Sequence, residues 1–450
     1  MQKVVFIFTS LFFFLLPTSS YAVGALFQQE VSHTSRGEVR FESRHFLKDD
    51  NLETEDAGVG LFSRLETRTS WGDFDLNFSG YGRVDHKDES RSFATLEDAY
   101  LSYRYGSAFE YGLKLGYQVF NWSVMDAFYP IDRINSRNFD SSPEQLEKMG
   151  ELTVEFNMDV WDGDFSLYYF PSFQGPRLPS SSNRFGSGFN LYSARVVESD
   201  GVKSSRGADQ FGLRLYQFIG GADIEFHYLN HIDRFNPIVG YHEFSEVPLV
   251  GIIPDNSDII RPYFYRVQQS GLSLQKAFGP TVFKFEGLYR WYAESDEKVL
   301  IAPNSIVQNS EFSNGPKDHG EIAFGLDYTY GLFSGHDLNI LLEYSTLLGL
   351  NRRERQDTSI FQNDLFFGHR YIFNDINSKE ILMTSIFDLE RSEEFLLGLK
   401  YSQRLAEVWG IDLGLQWFNA SGVEEGRQVG AGLDSLKNDQ YFFLNITRYF

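Results

Sequence analysis

The sequence predicts an all-β fold in which about 18 antiparallel strands close into one barrel that crosses a membrane. Apolar and polar residues alternate with period two along most of the chain, which indicates strands with one apolar face. Short and long connections between the predicted strands also alternate, as in barrels with trimmed turns at one end and long loops at the other. Beyond the N-terminal stretch, no apolar run reaches the ~20 residues that a spanning helix needs.

The N-terminal stretch has the features of a secretory signal. Lys3 supplies the charge, Val4 to Leu16 form an apolar run, and Ser20-Tyr21-Ala22 provide small residues for cleavage. The predicted organisation is therefore a signal peptide (1–22), a short periplasmic segment (23–36) and a barrel (37–450). Because the segment before the barrel is short, we expect no plug domain and hence passive transport.

Composition narrows the classes of function. The formal net charge is −22, which excludes a general nucleic-acid binder because such a protein needs a basic face. The chain has no cysteine, so an exported fold of this size depends on hydrogen bonds and packing alone. Aromatic residues make up 17% of the chain, with 44 Phe and 25 Tyr.

The period-two pattern assigns faces to the strands. Apolar faces are predicted at Leu61, Leu65 and Trp71; at Tyr111, Leu113, Leu115 and Tyr117; at Leu152, Val154, Phe156 and Met158; and at Ile322, Phe324, Leu326, Tyr328 and Tyr330. No window has helical periodicity strong enough to compete, so the chain is expected to be nearly all β.

The connections predict the orientation of the barrel. Short links are expected around 106–108, 220–221, 278–280 and 406–407, and long links cover about 121–146, 173–206, 234–261, 295–317, 349–362 and 420–437. The predicted strands run from Gly37–Phe46 to Asn438–Phe450, and an even number places both termini in the periplasm. A soluble β-sandwich is the alternative, but it rarely reaches this size in one domain.

The last ten residues, "YFFLNITRYF", form a predicted strand. Phe442, Leu444, Ile446 and Phe450 fall on one face, and Tyr441, Asn445 and Thr447 on the other. This strand resembles the closing strand of Gram-negative outer-membrane proteins, although Arg448 stands where that pattern has an apolar residue. The resemblance implies that Phe450 is an assembly signal read by the barrel-assembly machinery. It also implies a location in the outer membrane, surrounded by lipid and lipopolysaccharide.

If the apolar face contacts lipid, the opposite face lines the lumen. The predicted basic wall consists of Arg40, Arg64, Arg68, Arg83, Arg104 and Lys114, and the predicted acidic wall of Glu151, Glu155, Glu225, Glu321, Asp327 and Glu343. The two walls could create a field that filters solutes by charge. Alternatively, these groups pair with one another, since Glu38, Glu42, Glu66 and Asp98 lie among the arginines.

The third outer link, which follows the fifth strand, mixes apolar and charged residues and is unlike a solvated loop. We expect it to fold inward and narrow the pore, with Asp126, Asp132, Arg133 and Arg137 at the constriction. The alternative is a loop that caps the mouth of the barrel.

This region is also similar to a segment of proteobacterial porin-like barrels that include the alginate-export type. The matching positions are Asp98-Ala99-Tyr100, Gly116, Gln118, Trp122, Asp126, Pro130, Asp132 and Asn135. Tyr117 and Ser123 depart from the pattern, which has Arg and Gly there. The resemblance implies a channel.

No motif for catalysis, a cofactor or a metal is found. His227 and His231 would lie ~13 Å apart on a strand, too far for one zinc ion. The acidic run at 49–56 lacks the glycine of a calcium loop and is expected to be an outer loop that bridges to lipopolysaccharide through divalent cations. A barrel phospholipase would need a Ser-His pair on the lipid-facing surface, and none is evident.

The sequence therefore predicts a non-enzymatic outer-membrane channel for passive diffusion of small polar or anionic solutes. Two alternatives stay open. One is export of an acidic polysaccharide along the arginine wall, and the other is a plugged barrel with a structural or adhesive role.

Overall fold

The computed structural model describes residues 31–49, 54–106, 110–142, 145–186, 190–205, 207–248, 251–301, 312–313, 315–420 and 436–450. Within these segments, eighteen antiparallel strands form one closed sheet, which confirms the predicted barrel. They are β1 Val31–Phe46, β2 Ala57–Trp71, β3 Phe74–Asp85, β4 Phe93–Gly106, β5 Glu110–Gln118, β6 Glu151–Val160, β7 Gly163–Phe170, β8 Gln210–Ile219, β9 Ala222–Ile232, β10 Arg261–Phe278, β11 Thr281–Tyr292, β12 His319–Gly331, β13 Asp337–Leu348, β14 Asn363–Ile372, β15 Glu380–Asp388, β16 Phe395–Ala406, β17 Trp409–Asn419 and β18 Tyr441–Tyr449.

The first and last strands close the barrel. β1 pairs with β18 from Glu38 opposite Tyr449 to Phe46 opposite Tyr441. Phe450 continues this ladder, because its N–H and C=O each form a hydrogen bond with Gly37 at 3.0 and 2.9 Å. A Cβ atom at residue 37 would lie only 2.7 Å from the Phe450 ring, so a glycine at this position leaves the space that the ring occupies. The terminal phenylalanine therefore completes the closing seam.

The barrel begins earlier than the sequence predicted. β1 starts at Val31 instead of Gly37, and Val31 to Arg36 pair with Trp71 to Glu66 of β2. Six polar-rich residues thus extend the strand beyond the period-two pattern from which the boundary was drawn. The predicted signal peptide, residues 1–22, lies outside the described residues.

Tight turns connect the strands at the end of the barrel that carries both termini. Gly220 and Gly221 link β8 to β9 with φ of +60° and +77°, the left-handed conformation that two-residue hairpins require. The longer connections lie at the other end, and the third of them (residues 119–150, called L3 below) joins β5 to β6. The alternation of short turns and long loops follows the prediction.

The outward face of the barrel is apolar. Leu61, Leu115 and Phe324 are 56%, 60% and 41% exposed, although all three side chains are large and apolar. A soluble protein would bury these side chains, so their exposure fits a surface covered by lipid. Among the described residues, no helix is both long enough and apolar enough to cross a membrane.

The connections contain smaller elements. The short strands are Arg137–Ser142, Gln145–Lys148, Arg195–Glu198, Gly201–Ser204, Ile238–Tyr241, Phe244–Val247, Gly251–Pro254, Val299–Ile301 and Phe312–Ser313. Among the described residues, a 3₁₀ turn covers Glu89–Arg91 and an α-helix, α1, covers Arg352–Thr358. α1 was not predicted, although Asn351 and Glu354 form a capping box at its first turn.

Candidate functional site

L3 crosses the lumen. It leaves the barrel at β5, yet the backbone N–H groups of Asp126, Ala127 and Phe128 donate to the Glu343 carboxylate at 2.6, 3.0 and 3.2 Å. Glu343 lies on β13, on the far side of the closed sheet of 18 strands, and is fully buried. The loop therefore folds inward across the barrel.

Two further carboxylates on this far wall hold L3. Glu286 of β11 accepts hydrogen bonds from the Ser123 hydroxyl at 2.6 Å and from the Val124 N–H at 2.7 Å. Glu321 of β12 forms an ion pair with Arg133 of the loop at 3.1 Å. Glu286, Glu321 and Glu343 are called the latch carboxylates below. Glu286 and Glu343 thus accept from backbone N–H groups of a segment that forms no strand or helix, and Glu321 pairs with the side chain of Arg133.

The second half of L3 returns to the wall from which the chain started. The Arg137–Ser142 and Gln145–Lys148 strands form a hairpin, and Arg83 of β3 lies between Glu147 of this hairpin and Glu42 of β1, at 2.6 and 2.7 Å. Lys148 forms an ion pair with Asp132 at 2.5 Å. Burial lowers the pKa of Lys148, and Asp132 only partly opposes this effect. L3 is thus fixed to both sides of the lumen.

The four residues predicted at the constriction have different environments. Asp126 is half-exposed and forms an ion pair with Lys284 of β11. Arg133 contacts Glu321, as described above. Asp132 and Arg137 are buried and form an ion pair with each other at 3.1 Å. All four lie on L3, but only Asp126 presents a large part of its side chain to the passage.

The predicted basic wall lies on the inner face, and each of its members has a carboxylate partner. The pairs are Arg40 with Glu38 and Glu42, Arg64 with Glu97, Arg68 and Arg104 with Asp75, Arg83 with Glu42 and Glu147, and Lys114 with Glu155. The predicted acidic wall is engaged in the same way. Glu151 pairs with Arg234, Glu225 with Arg214 and Asp327 with Lys284. This geometry corresponds to local pairing, the alternative to a field between two separate walls.

Two apolar clusters lie inside the barrel at the level of L3. One contains Phe120, Trp122, Ile131 and Ile134 of the loop, together with Tyr168, Phe170, Leu229 and Leu288 of the wall. In the other, Phe128 of the loop packs against Phe366, Ile386, Leu396, Phe418 and Tyr441. L3 is therefore held by packing as well as by the latch carboxylates, and the lumen is narrow at this level.

A cavity of about 400 Å³ lies beside the first residues of L3. Its walls come from the inner faces of β4 to β8, and residues 119–122 of L3 cover it. Gln118, Trp122 and Tyr168 line it and are almost fully buried. Both polar and aromatic surfaces are therefore available to a small solute here.

His227 and His231 are both buried on the inner face of β9. His227 contacts Gln269 at 2.9 Å, and its ring centroid lies 5.7 Å from that of Trp122. Among the described residues, no group of three or more His, Asp or Glu side chains is arranged to bind a metal ion. Residues 50–53 of the acidic run lie outside the described residues, and Asp56 at its end pairs with Arg184 at 2.9 Å.

The residues that hold L3 were only partly foreseen. Glu321 and Glu343 were assigned to the acidic wall, whereas Lys284, Glu286 and Arg290 of β11 were not singled out. Their signal is the run "KFEGLYR", in which the three charged residues alternate with Phe285, Gly287, Leu288 and Tyr289 so that all three fall on one face of the strand. That pattern marks an inner face, but it does not show which loop the face contacts.

The fold and the lumen define a class: a closed transmembrane β-barrel narrowed by an inward loop. No family model and no curated protein matches the sequence. Solved structures do match. OccAB1 from Acinetobacter baumannii aligns with a TM-score of 0.50 at 8% identity, covering 93% of this chain and 96% of that one.

Two further matches are OccD3 (OpdP) from Pseudomonas aeruginosa and a BenF-like porin from Pseudomonas fluorescens Pf-5. Their TM-scores are 0.49 and 0.47 at 10% and 8% identity. They cover 93% and 94% of this chain, and 91% and 98% of their own chains. At such low identity the likeness shows the fold alone: this chain has a porin-like barrel.

Proposed function

We propose that this protein is a channel for passive diffusion of small polar solutes across the outer membrane of a Gram-negative bacterium. The observation that carries the proposal is the inward course of L3, which the latch carboxylates hold against the far wall of a closed, polar-lined barrel. A loop fixed in this way sets an upper limit on solute size. The channel is therefore narrow and its conductance small.

The charges in the lumen favour a weak anion preference at most. Arg68 and Arg104 share the single carboxylate of Asp75 at 3.1 and 3.4 Å, and their side chains are 53% and 73% exposed. One net positive charge remains at this point of the wall. Elsewhere the basic residues of the predicted wall are neutralised by carboxylates on the same strand, on strands one or two places away, or on L3.

This pairing weighs against export of an acidic polysaccharide, the function that the alginate-export resemblance implies. A polyanion in transit needs a continuous row of unpaired cations, because each charge otherwise loses its hydration without compensation. L3 also crosses the path that such a chain would take. We therefore rank export below diffusion of small solutes.

A plugged barrel with a structural role is the second candidate, and one observation favours it. Phe128 of L3 is 4% exposed and inserts into the apolar cluster around Phe418 and Tyr441. Packing of this kind resembles a protein core more than the rim of a pore. A permanently silent barrel would follow if L3 never left this position.

Export and assembly are part of the same proposal. Residues 1–22 would direct the chain to the periplasm, and Phe450 at the closing seam would be read by the barrel-assembly machinery. The loop that contains Asp56 would contact lipopolysaccharide at the outer surface.

Single-channel recordings of the refolded mature protein in planar bilayers test the function. We expect small, steady conductance with a slight anion preference, measured as the reversal potential under a salt gradient. Replacing Arg64, Arg68 and Arg104 with Gln should shift the selectivity toward cations. Arg353→Gln, in the outer-loop helix α1, is the control and should leave it unchanged. A silent bilayer would favour the plugged barrel instead.

A further inference from the structure

The cavity beside L3 has the properties of a binding site. Its volume of about 400 Å³ falls within the ~300–1,000 Å³ typical of small-molecule sites, and it is formed by the ends and inner faces of strands that are already rigid. Two buried polar atoms of the lining have no hydrogen-bond partner in the described structure, Nε2 of Gln118 and Nε of Arg214. Gln118 is 4% exposed, and its Nε2 donates to no protein acceptor. An unsatisfied buried donor is costly, so a group that accepts from it would bind favourably.

Aromatic rings provide the apolar part of the cavity. Trp122 and Tyr168 are adjacent, with ring centroids 5.5 Å apart, and Tyr100 lies on the neighbouring wall. Tyr100 is only partly buried, so part of its ring is available to a ligand. The faces of aromatic rings can contact the C–H surface of a ring-shaped solute, while nearby amide and hydroxyl groups form hydrogen bonds with its polar edge.

The charges around the cavity disfavour anions. Its lining holds three carboxylates, Asp98, Glu155 and Asp164, and two cations, Lys114 and Arg214. Both cations are already paired, Lys114 with Glu155 at 3.0 Å and Arg214 with Glu225 at 2.7 Å. The lining therefore has a net charge of −1 and no free cation, and a carboxylate or phosphate would meet repulsion.

We propose that this cavity binds a neutral, hydroxyl-rich solute of the size of a sugar ring. The inference rests on the proposed channel function and names the class of solute that the channel favours. The hydroxyl groups accept from Gln118 and exchange hydrogen bonds with the amide of Asn157 and the hydroxyl of Ser166, which also line the cavity. The C–H faces of the solute contact Tyr100 and Trp122.

The test is an equilibrium binding titration of the full barrel, refolded in detergent micelles. Binding is measured by saturation-transfer NMR. Glucose and glucuronate are the probes, because they differ at one position only: glucose has a neutral hydroxymethyl group where glucuronate has a carboxylate. We expect saturable binding of glucose and weaker binding of glucuronate. Gln118→Leu should weaken glucose binding about two- to tenfold, the range for one lost hydrogen bond.

Gln416→Leu is the matched control. Gln416 is a buried glutamine on the inner face of β17, also with an unpartnered side-chain atom, but it lies outside the cavity. Its replacement should leave glucose binding unchanged. If Gln118→Leu does not fold, Tyr100→Leu supplies the same test, because this partly buried ring is removed without opening a fully buried core.

The proposal is overturned if glucose does not bind saturably, if glucuronate binds at least as tightly, or if Gln118→Leu and Tyr100→Leu bind glucose like the wild type. Binding in micelles needs no ion flow, so the two proposals fail separately. A barrel that binds glucose but conducts nothing refutes the channel alone. One that conducts without binding glucose refutes the cavity alone.

Discussion

Replacing Glu343 with Gln should release L3 from the far wall. The carboxylate accepts three backbone N–H groups, from Asp126, Ala127 and Phe128, and is fully buried. The amide has the same size but only one acceptor oxygen, and its NH₂ group must face at least one donor. One charge-assisted hydrogen bond is lost, and the remaining bonds become neutral ones of about half the strength.

These losses amount to about 2–4 kcal/mol of the free energy that holds the loop in place. At about 1.4 kcal/mol per tenfold change, the ratio of released to bound L3 rises between about 30-fold and 700-fold. Glu380→Gln is the matched control. Glu380 also points inward, from β15, and none of its contacts in the described structure involves L3.

Two measurements report the release. In planar bilayers, Glu343→Gln should show frequent openings of larger conductance that are rare in the wild type and in Glu380→Gln. In proteoliposomes, trypsin should cleave after Arg133 faster in the variant, because that side chain is largely buried while the loop is bound. If both conductance and cleavage match the wild type, Glu343 does not hold the loop and the reasoning is refuted.

Three other perturbations test the fold. Arg234→Ala leaves the buried carboxylate of Glu151 without its ion-pair partner and should lower the free energy of unfolding by about 3–5 kcal/mol. The variant should then unfold at a lower denaturant concentration, and an unchanged midpoint would contradict this expectation. Burial would raise the pKa of Asp233, but the charge of Arg290 and the hydrogen bonds from Tyr292 and the Phe235 N–H together outweigh it and hold this pKa below its usual value. Asp233 therefore stabilises the protein above its unfolded-state pKa of ~4, and this stabilisation disappears as the pH falls further. Asp233→Asn should therefore flatten the acid-unfolding curve, and a curve as steep as that of the wild type would contradict the assignment. Gly221→Val forces a β-branched residue to φ +77° and should reduce the refolding yield in micelles, whereas an undiminished yield would show that the turn tolerates another conformation.

The sequence predicted the features that repeat along the barrel. Period-two alternation placed Leu115 outside and Lys114 inside, because a strand presents successive side chains to opposite faces. The even strand number followed from the same regularity, whereas the closing position of the last strand was expected from its resemblance to the terminal strand of outer-membrane proteins. The start of β1 at Val31 was missed, since residues 32–36 are polar and a strand that extends past the lipid needs no apolar face.

The contacts within the lumen could not be predicted in the same way. Alternation shows that Glu286 and Glu343 point inward, but their partners are backbone N–H groups of L3, which any sequence provides. Arg83 illustrates the same limit, because its partner Glu147 is far from it in sequence and meets it only once L3 has folded. Such pairs depend on the path of an irregular loop, for which no periodic signal exists.

These contacts explain why the lumen contains many charged side chains of which most are neutralised by a nearby partner. Irregular backbone at membrane depth is tolerated only where its N–H and C=O groups are satisfied by protein or water. The latch carboxylates meet this need for the first half of L3, and Arg290 does so for the carbonyl of Pro130 at 3.1 Å. Cations such as Lys284 then neutralise the carboxylates that remain. The inner charges are thus arranged first around the loop, and the selectivity of the channel depends on the few groups, such as Arg104, that this arrangement leaves exposed.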